Sequence, residues 1–154
     1  MLYSSALWLH SLLRWAVLLA GAVAWFRAIG GGTAKRSWTP KDELWGFLFT
    51  VSLDIQMVIG VVFYLFISPI TTMGIRNLGA AMRIDTARYF TVEHVIGMII
   101  GIALAHVGRV KIRKAANDAR RHRLATIYFG LALVVICASI PWPGLAVGRP
   151  LFRF

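Results

Sequence analysis

Four apolar runs, at residues 6–29, 44–67, 89–110 and 124–140, limit what this chain can fold into more than any other feature. They are 24, 24, 22 and 17 residues long. A helix needs about 20 apolar residues to cross the hydrocarbon core of a bilayer, and about 17 is the lower end of the range. A soluble domain would need a polar coat over such runs. Only 15% of the chain is charged, against 58% hydrophobic, so that coat is missing. The expected fold is therefore all-α, an integral membrane four-helix bundle forming one domain over residues 1–154.

The leader MLYSS has no basic residue, and the first run is too long for a signal-peptide core, so a retained helix is expected there. Gly30, Gly31 and Gly32 are read as breaking it. Ser68-Pro69 closes the second helix, and Pro141 and Pro143 stop the fourth. The connection between runs two and three is long enough to carry a short helix of its own. The segment KIRKAANDARRHR, residues 111–123, is read as a basic loop with His122 solvated.

The net charge of +11 comes from 17 Lys and Arg against 6 Asp and Glu. These charges cluster between apolar runs, which fits anionic lipid headgroups and argues against nucleic acid. Eleven of the 17 fall in the first and third connections with their flanks at Arg27 and Arg109. The positive-inside rule then puts both termini outside, N-out/C-out. Cys137 is the only cysteine, which excludes an internal disulfide and an attached c-type haem.

Ionisable residues inside such runs are costly and point to function. His10 lies four residues into the first run and His94 five into the third, about 6–8 Å from the outer ends of their helices. Two imidazoles at one depth on separate helices suit axial ligation of a haem iron. Gly97 and Gly101, three and seven residues after His94, would let a flat macrocycle approach the backbone, with Gly21 in that part on helix one. The same GMIIG spacing also serves plain helix packing. Among Arg76, Arg83 and Arg88 one or two are expected to meet haem propionates, Arg88 foremost. The bland alternative makes both histidines hydrogen-bonded packing residues. Met98, one turn past His94, is a substitute ligand. Arg14 and Asp54 are expected to form an ion pair, with a proton route or a quinone head-group site through Asp54, Gln56 and Glu93 as the functional alternative. His106 is read as a polar or packing residue near the inner interface.

Four motifs in order then carry a resemblance: LHSLLRW (9–15), DIQMVIGVVFYL (54–65), RYFTVEHVIGM (88–98) and IPWPGLAVGRPLFR (140–153). The chain resembles small bacterial four-helix membrane proteins labelled cytochrome b or cytochrome b-like. That resemblance implies one b-type haem held by His10 and His94. It also implies a bacterial inner membrane as the location; the job expected of such a haem is electron transfer, with quinol or a periplasmic carrier as partner, within or beside a respiratory or photosynthetic complex. Two other classes stay open: a non-haem accessory subunit of a larger membrane complex, and a small transporter or proton conductor.

Overall fold

A computed structural model describes residues 2–151; the last part of the tail, Phe152, Arg153 and Phe154, lies outside the described residues. Helix α1 spans Leu2–Thr33 and α2 spans Pro40–Val62, continuing as a π-helical turn, Phe63–Ile67. Three short helices follow: α3 (Pro69–Arg76), α4 (Leu78–Ala81) and α5 (Asp85–Arg88). A second π-helical turn, Tyr89–Glu93, leads into α6 (His94–Arg113), and α7 spans Asp118–Ala138. No strand occurs among the described residues. Four helical stretches are long and apolar enough to cross a membrane: Tyr3–Thr33, Pro40–Ile67, Asp85–Arg113 and Asp118–Ala138. The chain is thus a four-helix bundle of the multi-pass membrane kind, and large apolar side chains such as Leu19, Phe66 and Val134 cover its outside.

The long helices alternate in direction. α1 packs on α2 and α7, and α6 packs extensively on α7, while α2 and α6 touch over a much shorter stretch. One end of the bundle holds His10, His94 and the short helices; the opposite end holds the clustered basic residues.

Small residues set the tight contacts. A Cβ at Gly21 would meet the Phe49 ring and Leu133. Phe49 in turn meets Phe129 edge-on, with ring centroids 5.6 Å apart. On α6, a Cβ at Gly97 would strike Ser139, one at Gly101 would strike Ile136, and one at Gly108 would strike Tyr128. These positions, with fully buried Ala105, put the small face of α6 against α7. Close backbone approach through small residues is how helices pack without water to drive them together.

Three expectations about the basic end are corrected. Gly30–Gly32 do not break α1, which runs on to Thr33. Gly31 is there because the imidazole of His122 packs directly on it. His122 is not solvated: it is 1% exposed, stacks at 5.0 Å from Trp38, and its Nε2 donates to the Arg36 carbonyl at 3.2 Å. The basic segment is mostly helical, since α6 extends to Arg113 and α7 starts at Asp118 behind the Asn117 side-chain cap.

Asp42 ties this end together. It is 3% exposed and accepts from Arg27 and Arg36, with Arg36 Nη1 at 2.6 Å. The Thr39 amide and hydroxyl also donate to it, capping α2. The same hydrogen bond holds the Arg36 guanidinium above its ordinary pKa.

Two substitutions test this packing. Asp42→Ala strands two guanidinium groups and is expected to lower stability by about 3–5 kcal/mol. Gly101→Leu overfills the α6–α7 contact and is expected to cost about 1–3 kcal/mol. Unfolding in mixed detergent micelles, followed by circular dichroism, measures both.

Candidate functional site at the histidine end

The LHSLLRW segment places His10 on the first turns of α1, facing the end of α2. Its ring lies 5.9 Å from the Phe63 ring, and a Cβ at Gly60 would sit 3.6 Å from its Cε1. Its backbone carbonyl, already in the helix ladder, takes a second hydrogen bond from Gln56 Nε2 at 2.9 Å. The Nδ1 of His10 is buried and makes no hydrogen bond with any described residue.

His94 opens α6 straight after a π-helical turn. Its Nδ1 lies 2.7 Å from the carbonyl of Ser139. A carbonyl only accepts, so Nδ1 carries the proton and Nε2 is left with a free lone pair. Tyr89 donates to the same carbonyl at 2.8 Å. That oxygen is open because Ser139 follows the last turn of α7, where helix carbonyls have no partner further along. Tyr89 and Phe90 flank the imidazole, with ring centroids 6.0 and 6.2 Å away.

His10 and His94 come from helices that lie diagonally across the bundle, yet they stand within electrostatic range of each other, as do His10 and Arg14. Both π-helical turns sit at this end: one holds Phe63 beside His10, and the other immediately precedes His94. Such turns inside helices often occur at functional sites. The turns are also linked, because Tyr64 of the first donates to the Thr91 carbonyl of the second at 3.0 Å. Helix α3 closes over the two, where Gly74 rests on Thr91 and Thr71 donates to the Tyr64 carbonyl. Three buried polar atoms at this end are unpaired among the described residues: His10 Nδ1, Gln56 Oε1 and Thr91 Oγ1. Buried polar atoms are rarely left so without a ligand or water to meet them.

Not every predicted residue joins the pair. Gly97 and Gly101 face α7, and Ser139 and Ile136 fill the space beside them, as Phe49 does at Gly21. Arg88 is held by two carboxylates of its own chain, Glu93 at 2.7 Å and Asp85 at 3.1 Å. Met98 packs against the hydrophobic core.

The expected Arg14–Asp54 ion pair does not form. Arg14 Nη2 donates to the Leu151 carbonyl at 2.7 Å, so the tail at Leu151 lies against α1. Asp54 instead meets His106, with Oδ1 and Nε2 2.8 Å apart. Nearby, Arg109 of α6 reaches back to α2, donating to Thr50 at 2.9 Å and to Glu43 at 3.1 Å over the Phe47 ring. The acidic members, Glu43 and Asp54, are 11 residues apart on α2, and His106 and Arg109 are three apart on α6. Each pair shares one helix face at those spacings. The sequence signal was present, but the partner helix was not evident.

As a test of fit to a haem, the donor set is suitable. Two imidazoles on diagonally placed helices stand within electrostatic range at one end of the bundle, one with its ligating nitrogen freed by a hydrogen bond on the other. The predicted glycine cradle is not suitable, since those glycines are closed by α7. Among the described residues, no three His, Cys, Asp or Glu side chains gather into a metal-holding group. A closed zinc site of the four-ligand kind therefore has no candidate among them.

The α2–α6 pairing makes a direct prediction. In a double-mutant cycle, Asp54→Asn and His106→Leu are expected to show a coupling of about 0.5–3 kcal/mol, while Arg14→Gln and Asp54→Asn add independently. Thermal unfolding in detergent of the wild type, the three single variants and the two double variants measures it. No family model, curated protein or solved structure matches this chain.

Proposed function

We propose that this chain is a membrane b-type cytochrome that relays single electrons, with His10 and His94 as the two axial ligands of one haem. The observation that carries the reading is the fixed tautomer of His94. Its Nδ1–H is committed to the Ser139 carbonyl, which leaves Nε2 as a lone-pair donor oriented by a second-shell hydrogen bond. The unpaired, buried Nδ1 of His10 and the electrostatic proximity of the two rings support it. So does the resemblance of the four sequence motifs to cytochrome b-like proteins.

When bound, a haem would supply a reversible one-electron couple, and His10 and His94 are the residues that would hold its iron. The chain's own residues would orient and shield that group. Tyr89 and Phe90 wall the His94 ring, Phe63 walls the His10 ring, and Gln56 fixes the backbone at His10. Arg88 already holds Glu93 and Asp85, so a propionate there would share its guanidinium with two carboxylates. The proposal places the basic end at the cytoplasmic face and the histidine end at the periplasmic face of a bacterial inner membrane.

A non-haem accessory subunit is the second reading. It is favoured by Gly97 and Gly101, whose free sides are already occupied by α7.

A dithionite-reduced minus oxidised spectrum of the purified protein, with a pyridine haemochrome assay, decides between them. The expected result is a b-type α-band at about one haem per chain. His10→Ala and His94→Ala should each abolish it, whereas His106→Ala should leave it intact. Full haem content in either of the first two variants rejects the ligand assignment. A haem-free wild type, from cells supplied with haem precursor, leaves the accessory-subunit reading.

A further inference from the structure

The Asp54–His106 pair has no place in the haem site, and its surroundings are unusual. Asp54 lies 14 residues from Pro40 and 13 from Ile67, the ends of its apolar stretch. That puts it about 20 Å from either end of the helix, within the hydrocarbon. Yet the two side chains are 45% and 43% exposed. They bond each other through one atom apiece, and neither Asp54 Oδ2 nor His106 Nδ1 hydrogen-bonds any described residue. Two open polar atoms at that depth face a medium that offers them no partner.

The flanking surface is apolar. Val58 and Val61 follow Asp54 by four and seven residues, and Ile99 and Val110 lie seven before and four after His106. These spacings put them on the faces that carry the pair, and all four are exposed. A ligand suited to this surface needs a compact head with oxygen donors or acceptors and a hydrocarbon tail. Lipid phosphates do not reach this depth. Water satisfies the polar atoms but not the apolar flank.

We propose that the Asp54–His106 pair is the head-group site for a lipid-soluble quinone. The pair is suited to both redox forms of such a ligand. With His106 as imidazolium, its Nδ1–H donates to a quinone carbonyl. With His106 neutral and its proton on Nε2, shared with Asp54, Nδ1 accepts from a quinol hydroxyl. The site is also joined to the histidine end. Gln56, two residues on from Asp54, donates to the His10 carbonyl, so α2 touches both the pair and the His10 backbone, while along α6 His106 lies 12 residues, about 18 Å, past His94. As the source or sink of the relay's electrons the quinone rests on the cytochrome reading; as a bound ligand it does not.

The test uses the full chain in quinone-free lipid nanodiscs, an azido-ubiquinone photoprobe, and decylubiquinone as competitor. Labelled peptides are mapped by mass spectrometry. The expected result is labelling confined to peptides spanning 54–61 and 99–110, displaced by decylubiquinone. It should fall at least tenfold in Asp54→Asn and in His106→Gln. The apolar replacement Asp54→Val with His106→Leu, which removes both polar groups together and so protects the fold, should fall as far. Three outcomes overturn the proposal: undiminished labelling in the double variant, labelling that decylubiquinone does not displace, or no labelling of a wild type that native mass spectrometry shows to be a dimer and the double variant to be a monomer. In that last case a second copy covers the pair. The readout needs no haem. Labelling without a haem spectrum rejects the relay and keeps the site, whereas a haem spectrum without labelling rejects the site alone.

Discussion

Hydrocarbon offers no hydrogen bonds, so a polar group carried to membrane depth must be met by another part of the protein. That constraint organises this bundle. Asp42 gathers Arg27, Arg36 and Thr39 where α1 turns into α2. Asp54 with His106, and Glu43 with Thr50 and Arg109, link α2 to α6, where the backbones themselves touch little. At the far end, Tyr64 and Thr91 bridge the two π-helical turns. The α2–α6 side therefore relies mainly on polar bonds, while the other helix contacts combine polar bonds with close packing.

Helix α7 plays the opposite part. It takes the small face of α6, carries Phe129 onto Phe49 of α2, and receives Trp25 of α1, whose indole donates to the Thr126 carbonyl at 3.0 Å. It also ends one residue before Ser139, whose carbonyl, outside the helix ladder, accepts from His94 and orients it. One structural helix thus positions a side chain on its neighbour through a backbone atom. Tight α6–α7 packing and the tautomer of His94 are two consequences of one contact. The glycines that let α7 come close are the same ones that had seemed to make room for a macrocycle.

Much of the architecture was legible before any coordinates. The apolar runs gave the number of membrane-length helices, and the long second connection carried short helices of its own. The errors have physical causes. Gly30–Gly32 looked like a helix end because glycine disfavours helices in isolation, but His122 needed the space at Gly31. The basic segment looked like a loop because charge disrupts an apolar run, yet helices extend into the interfacial region, where long basic side chains reach polar surroundings. Arg14 and Asp54 matched in depth but not in azimuth, since depth can be counted along a chain and rotation about a neighbour cannot.

By itself the sequence determined that this is a membrane bundle, which segments cross, and which residues are too polar to be idle. Those properties follow from local composition and from helix length against bilayer thickness. Tertiary structure alone decided the pairings: Asp54 with His106, Arg14 with the Leu151 carbonyl, His94 with the Ser139 carbonyl, and Gly97 and Gly101 with α7. Such choices depend on helix order and rotation around the bundle. A backbone oxygen leaves no mark of its own in the sequence, so the contact that frees Nε2 of His94 emerged only once α7 was in place.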